Sequence, residues 1–235
     1  MFSTIFKEPT VITYDRDFSA SPVKSYKFSK ELFFVPLLQN EVARAAFDYP
    51  LIISKTQEGI FPVVLLSLRK NENLFINGNG VWEKEFHVPS FLKTYPFMVT
   101  QPEWNKESRI MYDASYNGIN KKDPAAVEII KDGKVTESGK KVLDRLKEHY
   151  ANFERTKQIY SQIDALGLLK EVEVKMLGED PKQEHLMRGF YQIDADKLNK
   201  LDDEKLLMLA KSGLLGLIQF QLASSANMQK LVNRL

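Results

Sequence analysis

Eight of the ten prolines in this 235-residue chain lie before residue 103. Proline fixes φ and removes a backbone donor, so the front portion cannot support a long helix. Its aromatic and β-branched residues come in short bursts between turn signals, which predicts short strands. Leu51–Lys55 and Phe61–Leu68 read as a hairpin closed at Thr56-Gln57-Glu58-Gly59. Asn73–Ile76 and Val81–Phe86 read as a second, closed at Asn77-Gly78, because both turn residues tolerate positive φ. Tyr95–Thr100 and Ile110–Ala114 suit a third. One helix is predicted here, Leu38–Phe47, stopped at Asp48-Tyr49-Pro50 because the residue before proline avoids the α region.

The second portion has a different periodicity. Leu143, Leu146, Tyr150, Phe153, Tyr160 and Ile163 recur at mostly three- and four-residue steps, one face of a long helix over 138–166. Ser138 is the expected N-cap and Gly167 the expected C′ residue. His149 reads as a surface residue of that helix. Residues 171–188, charged and holding Gly178, Pro181 and His185, read as a loop or short hairpin before a short strand Gly189–Ile193. Asp194 and Asp202 are predicted N-caps of the next two helices, with Leu201 and Leu206 forming a hydrophobic staple. Leu214–Ala223 reads as a buried core helix, being far shorter than the about 20 apolar residues of a membrane span. The expected class is α+β: a β-rich portion 1–135 and a helical portion 136–235, co-packed as one domain.

Composition removes whole chemistries. The chain has no cysteine, which excludes disulfide scaffolds, zinc fingers, cysteine nucleophiles and iron–sulfur centres. The 33 basic and 31 acidic residues leave a charge of +2, too balanced to argue for a nucleic-acid partner. Met1–Pro9 has no apolar run of signal-peptide length, so the cytosol is the expected compartment. None of His87, His149 and His185 begins an HxD, HxH or HExxH pattern, and no metal or other cofactor is expected. Gly133–Lys141 departs from a phosphate loop in spacing and lacks Ser or Thr after its lysine. Gly78-Asn79-Gly80 lacks the third glycine of a dinucleotide fingerprint. No G-x-S-x-G elbow is present.

An unusual proline–aromatic cluster remains, running from Pro36-Leu37 through Tyr49-Pro50, Phe75 and Trp82 to Pro89, Phe91, Tyr95, Pro96 and Phe97. Two readings are open. These residues form a stiff groove for a peptide or extended ligand, or they are the core and corners of a small sheet.

The same residues carry a resemblance. Phe34-Val35-Pro36-Leu37-Leu38, Glu41-Val42-Ala43-Arg44-Ala45-Ala46 and Asp48-Tyr49-Pro50 look like the opening of the bacterial SapC family. The similarity continues through Asn73-Leu74-Phe75, Gly80-x-Trp82, Pro89-x-Phe91-Leu92-Lys93 and Tyr95-Pro96-Phe97. It returns at Arg155-Thr156, Leu166-Gly167-Leu168-Leu169, Ser212-Gly213 and Gln221-Leu222-x-Ser224, and so spans roughly residues 15–235. The chain departs from the family pattern at His87-Val88, at Lys93-Thr94 and over residues 117–131. The resemblance implies association with bacterial surface layers. It also implies an accessory role near TonB-dependent receptors, flavin-dependent tryptophan halogenase-like proteins and cupin-like proteins. It supplies no catalytic residue.

The expected function is therefore a non-catalytic binding or structural protein with a protein or peptide partner, associated with the surface layer or an uptake system. The alternative is an enzyme, or an accessory subunit working with a halogenase-like or cupin-like oxygenase. Because they sit in or beside the matched motifs, Glu41, Arg44, His87, Tyr95 and Arg155 are the candidate polar residues. Trp82, Phe91, Tyr95 and Phe97 are the candidate apolar contacts. A buried Glu–Arg pair would be a structural alternative to a site.

Overall fold

The computed structural model describes residues 5–100, 109–120, 122–178 and 184–235. Their class is α+β. Strands β1 (Pro9–Val11), β2 (Phe18–Ala20) and β3 (Phe34–Pro36) lead to a 3-10 turn, Gln39–Glu41, that runs directly into helix α1 (Val42–Asp48). The hairpin β4 (Leu51–Thr56) and β5 (Gly59–Leu65) follows, then a short helix α2 (Ser90–Lys93) and strands β6 (Phe97–Thr100) and β7 (Arg109–Asp113). Strands β8 (Val127–Lys131) and β9 (Lys134–Val135) precede the long helix α3 (Glu137–Ala165). The chain ends with β10 (Leu169–Leu177), β11 (Glu184–Ile193) and helices α4 (Ala195–Asn199), α5 (Asp203–Lys211), α6 (Leu214–Ala223) and α7 (Asn227–Val232).

The strands form three antiparallel sheets. Two are three-stranded, ordered β1-β7-β6 and β2-β8-β9, and one is five-stranded, ordered β10-β11-β4-β5-β3. The register of β4 on β5 puts Thr56 opposite Gly59, so the loop is Gln57-Glu58, with Gly59 at φ 128°. The β6–β7 hairpin also forms, with Phe97 opposite Tyr112. The Asn77 hairpin is reduced to a single bridge between Ile76 and Trp82. Asn77 closes that turn with its side chain, accepting from the Asn79 and Val81 amides at 3.0 Å each, and the positive φ falls on Gly80 rather than Gly78.

The charged stretch expected as a loop or short hairpin, 171–188, is instead most of the two longest strands. Val172, Val174 and Met176 alternate with Glu171, Glu173 and Lys175, and Val174 and Met176 are buried. Period-two alternation is the mark of a half-buried strand, and the charges occupy its wet face. The second portion is therefore not wholly helical: Phe190 and Tyr191 pair with Ser54 and Ile53 of the front portion. Pro181 lies outside the described residues.

Helix α3, about 43 Å long at 1.5 Å per residue, ties the sheets together. Near its start Leu143 and Leu146 pack in one apolar cluster with Phe18, Ile129 and Ile130. Midway, the Phe153 ring lies 5.2 Å from Phe61 of β5. Near its end Tyr160 and Ile163 join Ile53, Ile60 and Ile218 in another cluster. Its N-cap is Thr136 rather than Ser138: the Thr136 hydroxyl accepts from the Gly139 amide at 2.8 Å. Gly139 has no room for a side chain, because a Cβ there would lie 2.2 Å from the Ile129 carbonyl oxygen of β8. Gly167, at φ 72°, ends the helix as expected. Asp194 and Asp202 cap their helices through their carboxylates.

Helix α6 joins the core by one face rather than being buried all round: Leu214 and Ile218 belong to the same apolar cluster as Tyr160 and Ile163. It buries Leu214, Ile218 and Gln221 and leaves Phe220 exposed against Phe47. No single helix among the described residues is long and apolar enough to cross a membrane.

Candidate functional site

A cleft of about 580 Å³ opens beside the first half of α3, between that helix, α2 and the β6 and β8 strands. Two polar networks support its wall. The first is built on Glu41. The 3-10 turn that carries Glu41 is anchored to α3 through Thr156, whose hydroxyl accepts from the Gln39 amide at 3.0 Å and donates to the Asn152 carbonyl at 2.7 Å.

So held, the buried Glu41 carboxylate accepts four hydrogen bonds. The Leu38 amide donates at 3.1 Å and the Ser90 amide at 2.8 Å. The Ser90 hydroxyl donates at 2.7 Å, and His87 Nε2 donates at 2.7 Å. Burial pushes the Glu41 carboxyl up, but the bonds from His87, Ser90 and Leu38 outweigh it and hold it below its usual range.

Ser90 links this network to the cleft, which both it and His149 line. The Ser90 oxygen lies 3.2 Å from His149 Nε2. A carboxylate can only accept, so the one hydroxyl proton of Ser90 points at Glu41. His149 Nε2 must then carry a proton and donate to Ser90. Burial lowers the pKa of His149, partly offset by the Glu41 charge, so the imidazole is neutral near pH 7. The arrangement is a Glu–Ser–His chain in which the carboxylate holds the serine. A nucleophilic triad needs the serine proton on the imidazole and the carboxylate behind it.

The second network holds Tyr95. Its hydroxyl donates to Asp113 at 3.0 Å and its ring stacks on Phe28 with centroids 4.0 Å apart. Asp113 also accepts from the Lys7, Glu8 and Ser115 amides and from the Ser115 hydroxyl. Burial raises the Asp113 carboxyl and these bonds more than reverse the effect, so its pKa is lowered. Burial and the adjacent Asp113 charge push the Tyr95 phenol up.

The residues singled out in the sequence separate into four groups. Glu41 and His87 share the first network, and Tyr95 and Phe97 line the cleft. Trp82 and Phe91 are buried in the main core. Trp82 Nε1 donates to the Tyr49 hydroxyl at 3.1 Å, which donates to the His87 carbonyl at 2.6 Å. The proline–aromatic cluster is thus largely packing and not an exposed aromatic wall. Arg44 and Arg155 lie on the surface, away from the cleft lining. Arg44 pairs with Asp48 at 3.2 Å, so the buried Glu–Arg pair is corrected: the partner of Glu41 is His87.

His149, expected on the surface, turns inward. It sits three residues after Leu146 and four before Phe153, both buried, so its place on the inner face was present in the spacing. Ser90 gave no such signal. Among the described residues, no three His, Asp or Glu side chains converge as a metal site.

Neither a curated protein nor a solved structure matches the chain. A family model does match, over residues 15–231. That span takes in the Glu41 network, α2, the cleft and the whole of α3, and by it the chain belongs to the SapC family.

Proposed function

We propose that this chain is a non-catalytic binding protein whose cleft receives an extended segment of a protein partner. The partner's setting, a bacterial surface layer or a TonB-dependent uptake system, follows from what the family resemblance implies. The observation that carries the reading is the direction of the hydrogen bonds at the cleft floor. Ser90 gives its proton to Glu41, His149 gives its own to Ser90, and Tyr95 gives its own to Asp113. Groups bound to one another in this way make a stiff, preset floor: His149 Nε2 already carries a proton and cannot take one from Ser90, and Glu41, held below its usual pKa, is a weak base for it. The apolar walls, with Leu92, Phe97, Val127, Ile129, Val142 and Leu146, suit side chains of an inserted segment.

The test is site-specific photo-crosslinking in the native host. A photoreactive phenylalanine analogue replaces Val142 at the cleft or, as control, Lys170 on β10. The reading expects a cleft-specific adduct with a surface-layer or receptor protein. An adduct with a flavin- or cupin-type oxygenase supports the accessory-subunit alternative, and no cleft-specific adduct overturns the proposal. Labelling of Ser90 by a fluorophosphonate, abolished in His149→Ala, would overturn the non-catalytic part.

A further inference from the structure

Resting on that reading, we infer that the segment entering the cleft is acidic, carrying a carboxylate beside an apolar side chain. Two cations line the cleft from different elements: Lys93 at the end of α2 and Arg145 on α3. Both are exposed, and neither has a carboxylate within ion-pair distance among the described residues. Lys157, further along α3, is by contrast paired with Glu154 at 2.7 Å. The one acidic residue in the lining, Glu148, is three positions from Arg145 and forms no ion pair with it.

Three carboxylates stand close to the cleft but outside its lining: Asp113 is bonded to Tyr95 and occupied by further donors, Asp123 lies beside Ser21 with Lys24 near it, and Glu41 is the third. Glu41 stands behind Ser90, outside the lining, with its oxygens occupied by four donors. The imidazole of His149 is neutral. Asn152, one turn beyond Glu148 and His149, adds an amide to the same face of α3. The lining therefore presents an excess of positive charge beside apolar walls. Such a cleft attracts an acidic segment and penalises a basic one through electrostatic complementarity.

The experiment is selection from a displayed library of short random peptides on the immobilised full chain and on its K93E/R145E variant. Both positions are exposed, and a circular-dichroism melt verifies that the variant folds. The native chain should enrich peptides with Asp or Glu next to an apolar residue. The variant should lose that enrichment and turn towards Lys and Arg. A selected peptide should bind roughly tenfold more weakly to K93E/R145E, and more weakly as salt rises. Enrichment without acidic bias overturns this inference and leaves the binding reading standing. Acidic enrichment equal on both proteins also overturns it, because the peptide then binds elsewhere. No enrichment on either protein overturns both readings.

Discussion

Replacing Glu41 by glutamine tests the network under the cleft. The substitution preserves shape and removes charge. One carboxylate oxygen becomes an NH₂ group, which cannot accept. On one side it would face His87 Nε2 and the Ser90 amide, and on the other the Ser90 hydroxyl and the Leu38 amide. The imidazole can change tautomer and the hydroxyl can rotate, but a backbone amide cannot. Either orientation of the glutamine therefore orphans one buried N–H, at about 1–3 kcal/mol. The two bonds that remain lose their charge assistance, and the total comes to about 3 kcal/mol.

For a chain of this size that lowers the melting temperature by about 6–12 °C. The pH dependence fixes the cause. Glu41 has a folded pKa below its usual value, so its stabilisation is present above the unfolded pKa and is lost as pH falls through the folded one. Glutamine does not titrate. Melts of both proteins by circular dichroism should show the full gap near pH 7 and a much smaller one near about pH 3. Equal melting temperatures near pH 7, or a gap that survives acid unchanged, would mean that the Glu41 charge does not stabilise the fold.

Three further outcomes are expected. Tyr49→Phe strands both the Trp82 indole N–H and the His87 carbonyl, and urea unfolding should show a loss of about 2–3 kcal/mol at unchanged m-value. Glycine-to-alanine changes in two helices should have opposite signs. Gly139→Ala drives a methyl against the Ile129 carbonyl and should cost about 1–2 kcal/mol. Gly216→Ala meets nothing within 4 Å on α6 and should add about 0.5–1 kcal/mol, both read from urea midpoints. Arg44→Ala and Arg155→Ala, on the surface, should each change stability by no more than about 0.5 kcal/mol in the same assay.

How far the sequence could be read depended on whether the signal was local. The β4–β5 and β6–β7 hairpins, the stop at Pro50, the Asp194 and Asp202 caps and the end of α3 at Gly167 are set by residues a few positions apart, and all of them form. A short hairpin was one of the two readings of 171–188, and the length of the β10 and β11 strands was hidden because charges on the wet face obscured the alternation of Val172, Val174 and Met176. Thr136 displaced Ser138 as the cap because the approach to β8 at Gly139 sets where α3 begins. Behind the cleft wall, Glu41 and His87 were conspicuous as residues, yet their pairing spans 46 positions. Ser90 and His149, 59 positions apart, meet only when α2 packs against α3.

Residue order alone was enough for the strands and helices that carry local signals, among them the β4–β5 hairpin, the stop at Pro50 and the capped helices after Asp194 and Asp202, and for the chemistries that the absence of cysteine removes. These follow from backbone sterics and side-chain period, which act within a few residues. Packing in three dimensions was needed to bring Glu41 to His87 and Ser90 rather than to an arginine, to bury most of the aromatic cluster, and to place Lys93 and Arg145 in one cleft lining. Hydrogen bonds and charges act over a few ångströms, and distance in space is fixed by packing, not by order along the chain.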